Sequence, residues 1–148
     1  MTNQEFEAKL MYLQKQVRDM RGIARWVHPT PVSWNAETME LTMVYQPDPD
    51  MGNPIGGLHG GIIATMFDNG LGALAISFAE GAFTPTISMN LEYLRPAPVD
   101  APVYLHASIV KLGRNMIHLR GELLEAPDSR KPYAAATAIF AIHKTAKL

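Results

Sequence analysis

Hydrophobic residues recur at steps of three and four between Thr2 and Val27, a spacing typical of an amphipathic helix. The stripe that they form consists of Phe6, Leu10, Leu13, Val17, Met20, Ala24 and Val27. Thr2 and Glu5 fit a capping box at the start of this helix, and Pro29 and Pro31 end it. Such a stripe is expected to pack on the domain's own sheet. A helix that binds a partner or covers a substrate is the alternative.

The stretch from Asn53 to Gly81 begins as a glycine-rich loop and continues as a long apolar run that holds one acid, Asp68, before Glu80. The run is apolar on every side of a helix, and a helix without a polar face is a buried one. The alternative is a hairpin, since Asp-Asn-Gly at 68–70 is a strong turn signal. The segment after it is rich in Ala and Leu and poor in β-branched residues, which favours the helix.

Strand-like segments fill most of the remaining chain. Val32–Tyr45 is predicted to form two short strands around Asn35-Ala36, and Thr86–Tyr93 alternates apolar and polar residues as a half-exposed strand does. Further strands are predicted over Val103–Leu112, Met116–Leu124 and Tyr133–His143. Short loops between consecutive strands imply antiparallel pairing. The fold class is therefore α+β, with a curved antiparallel sheet wrapped around a long central helix.

Composition narrows the possible functions. The chain has 148 residues, which suits one domain, and its net charge of −1 disfavours nucleic-acid binding. It has no cysteine, so disulfides, thiolate metal sites and Cys nucleophiles are excluded. His28, His106, His118 and His143 do not fall at zinc-ligand spacing, so no metal is assigned. The N-terminus lacks a signal-peptide pattern and the apolar run contains an acid and glycines, so we expect a cytoplasmic protein without a membrane span.

Asp68 is the first candidate for chemistry. Its helical neighbours at three and four residues are Ala64, Thr65, Leu71 and Gly72, none of which is a cation. A buried carboxylate without a partner is costly, which makes Asp68 a functional candidate. A carboxylate that is satisfied by its structural surroundings is the alternative.

The start of the predicted helix is the second candidate. Four glycines (Gly56, Gly57, Gly60 and Gly61) leave the backbone open to a ligand, and unpaired N–H groups at a helix start can polarise a carbonyl or hold an anion. Asp68 lies seven residues beyond Gly61, about 10 Å along the axis. One carbonyl cannot easily touch both. If both act on one substrate they come from different chains, which predicts an active site at a dimer interface.

The segment Asn53-Pro54-Ile55-Gly56-Gly57-Leu58-His59-Gly60-Gly61, followed by Asp68-Asn69, resembles the hotdog-fold acyl-CoA thioesterases. The closer match is the branch of the phenylacetate-degradation thioesterase and the human thioesterase superfamily enzymes. It continues through Met89-Asn90, Tyr93 and Pro96-Ala97 to Gly113, and so covers roughly 32–143. The resemblance implies one hotdog domain over 1–148, with an N-terminal helix at 1–28 and a core at 32–143. It also implies protomers that pair edge to edge as homodimers and often assemble further into homotetramers.

The same resemblance implies a hydrolase that splits an acyl-CoA thioester into a free acid and coenzyme A, with no other cofactor. Asp68 matches the catalytic acid, as general base or nucleophile, and Gly60 the glycine whose N–H holds the thioester oxygen. Asn53 and His59 match loop residues that place the carbonyl and the water. Thr86 falls where relatives have a Ser or Thr near the water, although a plain strand residue is the alternative. In that family the acid and the glycine come from opposite chains.

Substrate-binding candidates complete the set. Gly61 lies at the helix start, and Lys111 and Arg114 flank the Gly113 turn, where they could meet the phosphates of coenzyme A. Arg95, Arg130 and Lys131 are further loop cations. The acyl pocket is expected to involve Met66, Met89 or Met116, because methionine adapts to varied apolar shapes, with core packing as the alternative for each.

Two other functions fit the same residues. Hotdog enoyl-thioester hydratases and dehydratases also pair a loop His with a helix acid across a dimer, so His59 and Asp68 keep that class open. A non-catalytic acyl-CoA-binding module is the second alternative.

Overall fold

The structure is a computed structural model that describes residues 1–19 and 21–147. Met20, which we placed in the N-terminal stripe, lies outside these residues. The described elements in chain order are helices α1 (Asn3–Asp19) and α2 (Ile23–Trp26), strands β1 (Thr30–Asn35) and β2 (Glu40–Tyr45), a short 3-10 helix (Pro49–Met51), helix α3 (Gly60–Phe78), and strands β3 (Ala82–Phe83), β4 (Thr86–Tyr93), β5 (Val103–Leu112), β6 (Met116–Leu124), β7 (Ala134–Ala141) and β8 (His143–Lys147).

The prediction of one helix from Thr2 to Val27 is wrong, because the segment forms two helices. Gly22 precedes α2 with a φ of 122°, a conformation that side-chain-bearing residues rarely adopt, and the chain turns there. The predicted capping box is confirmed: the Thr2 N–H donates to Glu5 Oε2 at 2.7 Å and the Glu5 N–H donates to Thr2 Oγ1 at 3.2 Å. The hydrogen bond from the Thr2 backbone, followed by that from its side chain, lowers the pKa of Glu5.

The first half of α1 packs on the central helix as well as on the β1–β2 hairpin, and not on the sheet alone as we expected. Phe6 and Leu10 are buried, and the Phe6 ring meets the Phe78 ring edge to face at 5.1 Å. Lys9 Nζ donates to the Ser77 carbonyl at 2.8 Å. Both contacts fix α1 near the C-terminal end of α3.

Six strands form one antiparallel sheet in the order β1-β2-β5-β6-β7-β4, so β1 and β4 are its edges. The predicted strands over 86–93, 103–112 and 116–124 are confirmed, as are the two short strands around Asn35-Ala36, which pair with each other as β1 and β2. The last strand ends at Ala141 and not at His143. The chain leaves the sheet at Ile142, and β8 then pairs with β3 in a separate two-stranded sheet that we did not predict.

Helix α3 lies across the sheet and confirms the helical interpretation of the apolar run over the hairpin. Ile63, Met66, Phe67, Leu71 and Leu74 are buried in the core between helix and strands. The helix is 19 residues long and apolar enough to cross a membrane by length and composition. Its packing against the sheet identifies it as the core helix of the domain.

Candidate active site

Helix α3 and edge strand β4 bring Asp68 and Thr86 together. Asp68 is half-buried, and Thr86 Oγ1 donates to its Oδ1 at 2.6 Å. Within residues 1–19 and 21–147 the one ion pair joins Arg95 to Glu125, so no described cation neutralises Asp68. The described partner of the carboxylate is therefore a neutral hydroxyl and not a cation. Because the hydroxyl proton points at Asp68, the lone pairs of Thr86 Oγ1 remain available as acceptors.

Tyr45 lies beneath the acid, in the core. The residue is 2% exposed, and its hydroxyl donates to the Met66 carbonyl on α3 at 2.5 Å. Burial raises the pKa of the Tyr45 phenol well above its ordinary value, and the negative charge of Asp68 raises it further. Tyr45 is thus held as a neutral donor that supports the turn of α3 before the acid.

The raised pKa of Tyr45 predicts a loss of stability in alkali. The folded protein keeps the phenol protonated while the unfolded chain ionises it above pH ~10, so the stabilisation is present below that pH and is lost above it. Tyr45→Phe is expected to cost about 1 kcal/mol at pH 8, and the gap in Tm between the two proteins is expected to narrow towards pH 11. Circular dichroism melts across this range provide the measurement. A gap that stays constant or widens would contradict the placement of Tyr45.

His59 is the N-cap of α3. Its Nδ1 accepts the Gly61 N–H at 2.9 Å, so the ring proton of the neutral side chain is on Nε2. With Nδ1 in use, His59 can offer an Nε2–H donor but not a second free base nitrogen. Gly61 was expected to bind substrate, yet its N–H is already donated to this cap. The residue therefore does not supply the free donor that we predicted.

The Gly60 N–H is the first of the helix and is aimed away from it. None of the hydrogen bonds among the described residues uses this N–H. The first N–H groups of a helix carry partial positive charge. Gly60 thus offers the donor that an oxyanion needs, and its predicted role in holding the thioester oxygen stays a prediction.

Asn53 shapes the glycine loop that leads to Gly60. Its Oδ1 accepts the N–H groups of Ile55 at 2.9 Å and Gly57 at 3.2 Å, while its Nδ2 donates to the Leu58 carbonyl at 3.4 Å. The loop is also fixed from outside, because the His59 N–H donates to the Met51 carbonyl at 2.9 Å. Asn53 therefore acts in this chain as an organiser of the loop.

Tyr93 contacts Gly60 from the far end of β4, a contact that sequence reasoning missed. Its hydroxyl donates to the Gly60 carbonyl at 2.8 Å. A Cβ built at Gly60 would lie 3.3 Å from the Tyr93 ring, so the glycine allows this close approach. The position of Tyr93 at the end of an edge strand gives no sign of this contact, which depends on how β4 crosses α3.

Within one protomer the acid and the free N–H stay apart. Asp68 follows Gly60 by eight residues, or about 12 Å along the helix axis. They also contact opposite ends of β4, through Thr86 and Tyr93. A single thioester carbonyl cannot reach both groups of one chain.

An apolar cavity of about 450 Å³ opens beside Asp68. It is bounded by α1 and α2, by α3 and by the segment that links β3 to β4. The methionines that we expected there do not line it. Met66 is 1% exposed in the core, Met89 packs against the core from β4, and Met116 is exposed at the start of β6.

The predicted coenzyme A cations lie elsewhere in the protomer. Lys111 and Arg114 are exposed around the Gly113 turn, where Arg114 lies beside Phe78 and Glu80 at the end of α3. Arg114 is therefore far from Asp68 in the same chain, about 15 Å along the helix.

Arg95, another loop cation, already contacts groups of its own chain. It pairs with Glu125 at 3.7 Å and lies over the Tyr133 ring at 4.0 Å. These contacts fix Arg95 on its own chain and leave it poorly placed to bind a phosphate.

Comparison with known proteins identifies the family and the fold of the chain. The family model of the thioesterase superfamily matches residues 55–130. Acyl-coenzyme A thioesterase THEM4 of Xenopus laevis is 28% identical over 107 residues, which are 72% of this chain and 47% of the relative. Human acyl-coenzyme A thioesterase 13 is 35% identical over 65 residues, which are 43% of this chain and 46% of the relative. The chain thus spans just under half the length of these curated relatives.

A solved structure extends the likeness to the whole domain. The phenylacetic acid degradation-related protein of Ralstonia eutropha JMP134 superposes with a TM-score of 0.74 at 27% identity. The superposition covers 88% of this chain and 99% of that chain.

Proposed function

The chain belongs to the thioesterase superfamily and has the hotdog fold, and from this premise we propose that it hydrolyses acyl-CoA thioesters. The observation that carries the proposal is the Asp68–Thr86 pair, a half-buried carboxylate without a described cation at the wall of an apolar cavity. A base beside an apolar cavity suits a substrate with an apolar acyl group next to its reacting carbonyl.

The residues supply the parts that thioester hydrolysis needs. The Gly60 N–H donates to the thioester oxygen and stabilises the oxyanion that forms when the carbonyl is attacked. In the general-base route, Thr86 Oγ1 accepts a hydrogen bond from a water, Asp68 takes the proton of that water, and the hydroxide adds to the carbonyl carbon. The intermediate then expels the coenzyme A thiolate, which receives the proton from Asp68. In the nucleophile route, the Asp68 carboxylate attacks the carbonyl carbon and the C–S bond breaks to release the coenzyme A thiolate. Water then hydrolyses the resulting anhydride, which frees the acid, restores the Asp68 carboxylate and supplies the proton that the thiolate takes up.

Thiol release from a panel of acetyl-, decanoyl-, palmitoyl- and phenylacetyl-CoA tests this function. We expect free thiol from at least one of these substrates. A protein that releases none would contradict the proposal. Loss of the conjugated band of an enoyl-CoA without thiol release would identify a hydratase instead, and calorimetric binding without any turnover would identify a binding module.

The site requires a second chain, and β4 is the edge that would recruit it. Among the described residues this strand pairs on one side only, with β7, and it exposes Ile87 and Tyr93, 54% and 55% respectively, which makes it a template for pairing. An antiparallel pair of β4 strands would bring the acid of one chain to the free N–H of the other. We therefore propose a homodimer across β4. The homotetramer implied by the family resemblance stays a prediction that light scattering tests.

The register of this dimer follows from the faces of β4. Met89 and Leu91 pack towards the core, while Ser88, Asn90 and Glu92 face out, and paired strands keep like faces together. A twofold axis through Asn90 satisfies this condition, with Asn90 opposite the partner's Asn90. In the pairing of β4 with β7, Thr86 lies opposite Phe140 and Ser88 lies opposite Ile139. A bulge between Thr86 and Ser88 therefore absorbs one residue of β4.

With that residue absorbed, Thr86 stands opposite the partner's Tyr93. Tyr93 holds Gly60 on its own chain, and Thr86 contacts Asp68 on its own chain. The register therefore brings Asp68 to the partner's Gly60, and the two-fold symmetry creates two equal sites.

Asn90→Cys tests the register in a chain that has no cysteine of its own. Residues directly opposite in antiparallel strands have Cα atoms ~4.5–5.5 Å apart, within the range of a disulfide. We expect oxidation to link most of the Asn90→Cys protein into dimers on a non-reducing gel. The matched control is Glu92→Cys, on the same face, whose two copies would lie about 13 Å apart and stay unlinked. Efficient linking of the control, or none in either variant, would contradict the register.

A further inference from the structure

Helix α3 contains two glycines after the acid, and the core explains only the first. A Cβ at Gly70 would overlap the Leu105 side chain and lie 3.0 Å from the Tyr45 hydroxyl oxygen, so packing requires glycine there. A Cβ at Gly72 would meet only the Phe140 ring, at 3.5 Å and 3.9 Å, which is ordinary contact. Glycine inside a helix costs about 1 kcal/mol relative to alanine. Neither packing nor backbone conformation therefore explains why residue 72 is a glycine.

The position of Gly72 supplies the reason. It lies four residues after Asp68 on the same face of α3, and both residues line the cavity of about 450 Å³. Leu13 and Val17 of α1 and Ala24 of α2 line the same cavity from the N-terminal segment. The first half of α1 thus secures the segment to α3, and its second half borders the cavity.

Two of the polar side chains around the cavity donate hydrogen bonds to backbone carbonyls. Gln14 Nε2 donates to the Pro29 carbonyl at 2.6 Å, and Asn69 Nδ2 donates to the Val27 carbonyl. The second bond ties the end of the N-terminal segment to α3 directly beside the acid. What remains facing the cavity is chiefly apolar surface, with the Asp68 carboxylate at its wall.

We propose that this cavity receives the acyl group of the substrate, with α1 and α2 as its outer wall and Gly72 as the residue that sets its size. The inference rests on the proposed thioesterase function, because the reacting carbonyl must then lie at Asp68 with its acyl chain in the adjoining space. A methylene group is close in size to a water molecule, ~30 Å³, so the cavity holds at most about fifteen such groups. The chemical class that fits is therefore an apolar acyl group with up to about fifteen carbons beyond its carbonyl.

Filling the cavity from either wall tests the proposal. Gly72→Leu is expected to lower kcat/KM for decanoyl-CoA by at least about tenfold while acetyl-CoA changes less than about twofold, since added bulk excludes carbons that acetyl lacks. Val17→Phe, from the α1 wall, is expected to shift the same ratio in the same direction. Gly72→Ala, whose methyl makes only ordinary contacts, is expected to keep the fold with a raised Tm and to shift the ratio less. Ala8→Leu, on the exposed face of α1, is the control and should leave the ratio unchanged.

Each other outcome overturns a part of the proposal. Equal losses for acetyl- and decanoyl-CoA, or no change in either, would exclude Gly72 as a determinant of chain length. A change in the Gly72→Leu ratio without one in Val17→Phe would exclude α1 as a wall. If the wild type releases no thiol, the proposed function fails, and calorimetry still tests the cavity. Gly72→Leu should then weaken binding of the decyl thioether of coenzyme A but not of the methyl thioether, and equal binding would overturn the proposal.

Discussion

Asp68→Asn is expected to lower kcat for acyl-CoA hydrolysis by at least about a hundredfold while the fold and the oligomer stay intact. The amide has the size of the carboxylate and can still accept the Thr86 hydroxyl through its Oδ1, so the bond of 2.6 Å survives. The amide cannot take a proton from water or attack a carbonyl. A positioned general base contributes roughly 100- to 10,000-fold, and that contribution is what the variant removes.

Thiol release at saturating substrate measures this effect, and Glu80→Gln is the matched control. That change removes one carboxylate charge at the exposed end of α3, away from the cavity, and should leave kcat unchanged. Equal activity of Asp68→Asn and the wild type would mean that the acid is structural. A loss accompanied by a lowered Tm or a dissociated oligomer would contradict the assignment of Asp68 to the chemical step.

Gly60→Pro is expected to lower kcat by about 100- to 1,000-fold, because proline has no N–H. Removing one oxyanion-hole donor from other enzymes lowers kcat by about this factor. The backbone tolerates the change. Gly60 is the first residue of α3, where proline is a favoured residue, and His59 before it has the extended φ of −64° and ψ of 136° that precedes proline. No described hydrogen bond uses the lost N–H. The variant therefore removes one donor and keeps the helix start.

Gly60→Ala is the control for bulk. Both variants place a Cβ about 3.3 Å from the Tyr93 ring, but only alanine keeps the N–H. We expect the kcat of Gly60→Ala to stay close to that of the wild type and well above that of Gly60→Pro. If alanine is as inactive as proline, the approach of Tyr93 explains the loss and not the N–H. If proline is as active as the wild type, Gly60 does not form the oxyanion hole.

The architecture was predictable because it depends on local sequence. The Ala- and Leu-rich composition of the α3 run and the alternation in β4 are visible in successive residues, and the structure confirms both elements. The acid at Asp68 was predictable for a related reason, since a single charge in an apolar run is visible without a structure. The break at Gly22 was missed because the apolar stripe continues through it, and only the φ of 122° reveals the turn.

The parts of the site that depend on tertiary packing were not predictable. No spacing in the sequence places Val17 and Gly72 on two walls of one cavity, or lays the Tyr93 ring against Gly60. The cap at His59 was likewise not specified, since a histidine before two glycines can be a base, a donor or, more often, a loop-structuring residue. Its Nδ1 bond to the Gly61 N–H favours the structural role.

We propose that each active site combines Asp68 of one chain with Gly60 of its partner, and mixing the two inactive variants tests this arrangement. Asp68→Asn and Gly60→Pro chains, co-expressed with different tags, form mixed dimers with one intact site, since one chain supplies the acid and the other the N–H. Random pairing makes about half of the dimers mixed, so we predict about a quarter of wild-type thiol release from two inactive parents. No recovery in tag-purified mixed dimers would contradict a shared site.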